Sequence, residues 1–69
     1  MAGNVCYNNL FKLLIDKGLK RSNLAKMCSL SSPTMAKLSK NEYVSMDVLV
    51  RICVNLDCEI QDVVTIRKS

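Results

Sequence analysis

The stretch from Arg21 to Lys40 holds two short helical patterns separated by a break of only a few residues, Ser29-Leu30-Ser31. In the first pattern, Leu24, Ala25 and Cys28 stand at i, i+1 and i+4, so a helix from about Arg21 to Cys28 carries one apolar face, which has to be buried. Ala25 is the small residue where two helix axes would cross most closely. Met35 and Leu38 give the second helix its apolar side, and Leu30 plugs the turn between the two. Either Ser31 or Ser32 can accept a hydrogen bond from an unpaired amide of the second helix's first turn. Pro33 lacks only an N–H that has no intrahelical partner there. The start of this helix is therefore the best-specified boundary in the chain.

The flanking sequence supplies helices of the same kind. Tyr7, Leu10, Phe11 and Leu14 recur at i, i+3, i+4 and i+7, broadened by Leu13, and Gly18 suits the left-handed position past a helix end. Ser45 caps a further helix, with Asp47 in its first turn and Leu49, Ile52, Cys53 and Leu56 on its apolar side. A short fifth helix is expected around Ile60, Val63 and Val64. The expected fold is an all-α five-helix bundle, one domain over 1–69 with its core in about 7–64. Only Met1 to Asn4 and Arg67 to Ser69 look loose.

Composition narrows the class. A chain of 69 residues buries only about 60% of the surface its unfolded form exposes, so modest stability is expected without a partner. No apolar run nears the roughly 20 residues that span a bilayer, because Arg51 and Asn55 interrupt the longest, Val48 to Leu56. Met1 to Asn9 does not resemble a signal peptide, and a cytoplasmic location is expected. Cys6, Cys28, Cys53 and Cys58 form no C-x-x-C pair and there is no histidine, so a zinc site would need four irregularly spaced thiolates. Cys28 and Cys53 fall on apolar helical faces, as small hydrophobes do. Four free thiols, no metal and no cofactor are expected. An enzyme is not: scattered carboxylates, no histidine and no phosphate loop leave no nucleophile an evident base.

Charge is unevenly placed. Residues 18–43 hold Lys20, Arg21, Lys26, Lys37 and Lys40 against Glu42 alone, for +4, which equals the net charge of the whole chain. The first 17 residues (Lys12, Lys17, Asp16) contribute +1. The last 26 (Arg51, Arg67 and Lys68 against Asp47, Asp57, Glu59 and Asp62) contribute −1. A polyanionic partner is the natural implication. Two helices joined by so short a break form the unit that sets its second helix in the major groove of DNA, which agrees.

The run G-L-K-R-S-N-L-A-K-M-C-S-L-S-S-P-T-M-A-K-L-S-K-N-E-Y resembles the Cro/C1-type (XRE-like) helix-turn-helix family. The likeness continues through V-S-M-D-V-L-V-R-I-C-V-N-L-D-C-E-I-Q-D-V-V and so covers about residues 8–64. Small single-domain regulators of Gram-positive bacteria and their mobile elements are the most similar subgroup. Two departures from the family pattern stand out. Ser29 stands where glycine is usual, at a steric cost of roughly 1 kcal/mol if its φ is positive. Leu14 and Ser39 stand where many members carry an Arg–Glu pair bridging the first and third helices. Losing both partners strands no buried charge.

The resemblance implies a sequence-specific regulator of transcription, a repressor or autoregulator, that binds double-stranded DNA. By position, Ser32, Pro33, Ala36 and Lys37 would face base edges. Lys37 is the strongest candidate, since an ammonium donates to guanine O6 and N7; contact with a phosphate is its alternative. Lys20, Arg21, Thr34, Lys40, Asn41 and Tyr43 would contact phosphates, which fixes register without specifying sequence. Tyr43 could equally pack against the bundle, and Asn41 could serve by tolerating a left-handed backbone. With so few base contacts, a homodimer on DNA is expected, meeting through Ile60, Val63, Val64 and Ile66 of the C-terminal segment, unless Ile60 and Val63 merely close the core. No small-molecule ligand is expected. The alternative function is a protein-interaction module or antirepressor that binds another regulator.

Overall fold

The computed structural model describes residues 4–68. Among these residues are four α-helices: α1 (Asn8–Asp16), α2 (Arg21–Cys28), α3 (Ser32–Ser39) and α4 (Met46–Leu56). Strands β1 (Val5–Cys6) and β2 (Thr65–Ile66) pair antiparallel, Val5 opposite Ile66 and Cys6 opposite Thr65. The expected fifth helix is instead a single 3-10 turn, Ile60–Asp62, leading into β2. The fold is thus mostly helical with four α-helices and a small sheet, rather than an all-α five-helix bundle. The reason is local: Val63-Val64-Thr65-Ile66 is an unbroken β-branched run, stiff at χ1 and better suited to extended backbone. Asn4 and Arg67, expected to be loose, are joined by a 2.6 Å bond from the Arg67 amide to the Asn4 carbonyl. Met1 to Gly3 and Ser69 lie outside the described residues.

One core binds these elements. Tyr7, Leu10, Leu24, Leu38, Ile52 and Val63 are almost wholly enclosed, one or two from each part of the chain. Among the described residues no buried position is polar or charged, so the interior carries no unpaired group to offset. Tyr7 sits at the start of α1 rather than within its stripe. Its hydroxyl donates to the Glu42 carbonyl at 2.7 Å, and burial pushes its pKa up. Helix starts follow the side-chain chemistry: Ser31 Oγ accepts from the Thr34 amide and Ser45 Oγ from the Val48 amide, both at 3.3 Å. Of the two candidate serines, Ser31 is therefore the cap of α3, with Ser32 and Pro33 in its first turn.

All four helices end in the same device. Gly18, Ser29, Asn41 and Asp57 each take φ between 53° and 69° just beyond a helix. The following amide then bonds back to a carbonyl five residues earlier: Leu19 to Leu14 (2.8 Å), Leu30 to Ala25 (2.9 Å), Glu42 to Lys37 (2.9 Å) and Cys58 to Cys53 (3.0 Å). This arrangement satisfies helix-end carbonyls and brings the two side chains of each such pair together. Only Gly18 reaches the left-handed region without steric cost. Asn41 is a tolerated substitute, while Ser29, at φ 54°, bears the cost anticipated for it. Ser29→Gly is accordingly expected to stabilise the fold by about 0.5–1 kcal/mol, the relief of strain exceeding the entropy glycine brings to the unfolded chain. Urea denaturation would check it, and a loss of stability would show that the Ser29 side chain contributes something its geometry does not reveal.

Candidate nucleic-acid interface

Helix α3 divides cleanly into two sides. Leu38 is buried and Met35 half-buried against the core, whereas Ser32, Pro33, Ala36 and Lys37 are all exposed. Their spacing of i, i+1, i+4 and i+5 puts these four on one outward face at the start of the helix. Their backbone is set by α2 on one side and the Asn41 turn on the other. Thr34, among the expected phosphate contacts, is half-buried, and its hydroxyl lies 3.0 Å from Ser31 Oγ.

Lys20 and Arg21 stand exposed at the start of α2, where the Lys20 amide donates to Asn23 Oδ1 at 2.8 Å. Arg21 is held from two sides. Its guanidinium lies over the Phe11 ring, 4.2 Å from the centroid, and its Nη1 donates to Ser39 Oγ at 3.0 Å. That bond brings Arg21 to the end of α3, next to Lys40, from a position 18 residues earlier in the chain. Neither the Phe11 platform nor the Ser39 acceptor was expected, because no local pattern links residues so far apart in sequence. The remaining guanidinium N–H groups form a fixed fork of the type suited to a phosphate.

Asn41 and Tyr43 have partners of their own. Asn41 is left-handed and half-buried, and its Oδ1 accepts from the Tyr7 amide at 3.1 Å, serving the start of α1 from a distance. Tyr43 is 62% exposed; its hydroxyl accepts from the Asn4 amide at 3.2 Å.

Residues 9–69 match the family model for the Cro/C1-type HTH DNA-binding domain. The chain belongs to the Cro/C1-type helix-turn-helix family. It is also similar to a solved structure described as transcriptional regulator VanUg, at 40% identity over 100% of this chain and 92% of that one, with a TM-score of 0.92. No match to a curated protein was found. The helix-turn-helix of this Cro/C1-type domain is α2 and α3.

At the two positions where many family members carry the Arg–Glu pair, Leu14 is buried in the core and Ser39 receives Arg21. The first and third helices of this Cro/C1-type domain are thus linked through a cation on the second: Phe11 under Arg21, Arg21 onto Ser39. On the opposite flank, the expected contacts of the C-terminal segment separate. Ile66 and Ile60 are exposed and Val64 is half-buried, but Val63 is fully enclosed and closes the core. Val63 therefore offers no surface to a partner. Met46, Val50 and Val54 of α4, which had not been singled out, are exposed at i, i+4 and i+8. With Ile60 they border an open groove of about 300 Å³, and Ile60, Val64 and Ile66 border a second of about 440 Å³. The signal was present in the sequence as a second apolar row beside Leu49, Ile52 and Leu56.

Among the described residues, no three Cys, Asp or Glu side chains cluster as a metal site would require, and no helix is long and apolar enough to cross a membrane.

Proposed function

We propose that this chain is a cytoplasmic, sequence-specific regulator of transcription, a repressor or autoregulator, that sets α3 into the major groove of double-stranded DNA. The observation that carries this reading is the outward row Ser32, Pro33, Ala36 and Lys37 on a helix whose other side is anchored in the core. A segment holding the whole net charge of the chain surrounds that row. Lys37 is the base-reading residue, through guanine O6 and N7. Ser32 supplies a hydroxyl that donates or accepts, and Pro33 and Ala36 offer apolar contact to a thymine methyl. Lys20, Arg21 and Lys40 hold the phosphates, with Thr34, Asn41 and Tyr43 as polar auxiliaries.

Four readers, two of them apolar, discriminate poorly, so selectivity rests on two copies and on the shape of the DNA between them. The homodimer forms through the side that carries Ile60, Val64 and Ile66. A second reading, an antirepressor that binds another regulator, is favoured by the exposed apolar row Met46, Val50 and Val54 of α4.

Selection from a pool of random duplexes distinguishes them. The expected product is a near-palindrome whose half-sites lie about 34 Å apart along the helix axis. Single unpaired half-sites would remove the dimer, and no enrichment at all would favour the antirepressor.

A further inference from the structure

Each helix end described above joins the side chains five residues apart. The pairs are Leu14 with Leu19, Ala25 with Leu30, Lys37 with Glu42 and, at the end of α4, Cys53 with Cys58. The first two pairs are apolar, the usual composition for such contacts, and the third pairs a lysine with a glutamate. The fourth puts two thiols where those contacts would be. We propose that Cys53 and Cys58 form a two-thiol binding site for a neutral, monosubstituted arsenic(III) compound whose apolar substituent lies in the groove beside them.

The backbone fixes the spacing. The Cys58 amide donates to the Cys53 carbonyl at 3.0 Å, and with standard peptide dimensions this keeps the two Cα atoms within about 7 Å. Both side chains are half-buried, and both line the open groove of about 300 Å³. The rest of that groove is mainly apolar, walled by Met46, Val50, Val54 and Ile60. The other two cysteines are placed differently: Cys6 is buried in β1, and Cys28 is buried with its thiol directed at the Arg51 carbonyl, 3.8 Å away.

Three features select the ligand class. Among the described residues no third Cys, Asp or Glu joins the pair in a metal-binding cluster, which leaves ions that need three or four ligands without a complete site. Burial, then the neighbouring Cys53, push the Cys58 thiol up to about 11, so it remains protonated near neutrality. A divalent cation needs thiolates and would have to displace both protons. An arsenic(III) oxide R–As=O needs no prior ionisation: two As–S bonds form, the As=O oxygen leaves as water with the two thiol protons, and nothing is oxidised or reduced. The remaining substituent R then meets an apolar wall, which favours an aryl group.

Phenylarsine oxide is the probe, used on the full chain under native conditions. One equivalent is expected to remove two thiols from reaction with iodoacetamide. Trypsin cuts after Arg51 and Arg67, so Cys53 and Cys58 fall on a single peptide, Ile52–Arg67, which should be the one protected. Cys53→Ser and Cys58→Ser should each weaken binding by about 100-fold or more, the loss expected when a second, tethered contact is removed. Protection of the Cys6 or Cys28 peptides instead, or unchanged affinity in either variant, would overturn the assignment. Equal protection by zinc(II) would overturn the ligand class. Should a variant fail to fold, peptide protection in the unaltered chain still decides between these outcomes.

Discussion

Ile52→Ala is expected to lower the unfolding free energy by about 2–5 kcal/mol, the usual cost of an enclosed aliphatic side chain and the cavity it leaves. Ile52 is wholly buried on α4, in a core that also takes Leu24 from α2, Leu38 from α3 and Val63 from beyond the 3-10 turn. A chain of 69 residues has, at roughly 0.05–0.15 kcal/mol per residue, only about 3–10 kcal/mol of stability in total. The substitution should therefore leave a substantial unfolded fraction at 37 °C. Ile52→Val, which removes one methylene, should cost only about 0.5–1.5 kcal/mol. Urea titration followed by far-UV circular dichroism measures both. A loss below about 0.5 kcal/mol for the alanine variant would mean that the core collapses around the gap and that Ile52 is not central to it.

The second large effect is on DNA binding. With Lys20, Arg21 and Lys40 on phosphates in each of two copies, log affinity should fall with log salt at a slope of about −5, or about 1,000-fold between 50 and 200 mM. Lys40→Ala, an exposed change at the end of α3, should make the slope shallower by about 2 in the dimer while leaving the preferred sequence unchanged. Lys37→Ala should do the reverse, relaxing preference at one base pair per half-site at a cost of about 1–3 kcal/mol. Fluorescence anisotropy on a fixed duplex at several salt concentrations separates the two. A slope that Lys40→Ala does not change would remove Lys40 from the phosphate set. A preference unaltered by Lys37→Ala would move that lysine to the backbone contacts.

Arg21 belongs to both ledgers. Its alanine variant loses a candidate phosphate donor, the Phe11 contact and the Ser39 hydrogen bond at once. Such a change confounds affinity with stability, which is why Lys40 is the cleaner probe of charge.

Much of the fold was legible because short-range patterns carried it. The i, i+3, i+4 spacing located α1, α2 and α4, the Ser31-Ser32 pair and Ser45 located two starts, and Gly18 and Asn41 marked two ends. Asp57 was not anticipated as a left-handed residue, since aspartate is only an occasional occupant of that region and nothing nearby demanded it. The fifth helix failed for a related reason. Ile60, Val63 and Val64 have helical spacing, yet the β-branched run from Val63 to Ile66 finds a partner strand at Val5–Cys6, some 60 residues away in sequence. Spacing registers which face a residue is on, not whether a distant strand competes for it.

The candidate site shows the same division. The sequence by itself determined which residues face outward on α3, where the positive charge lies and how the two motif helices begin and end, because each depends on neighbours within a few residues. Tertiary structure alone decided that Arg21 would be clamped between Phe11 and Ser39, that Asn41 would support the start of α1, and that Val63 would be withdrawn into the core while Met46, Val50 and Val54 stayed outside. Those outcomes depend on which surfaces meet once the helices pack. Contacts between residues 10 to 61 positions apart are set by the whole core at once, and leave no mark in the local pattern of either partner.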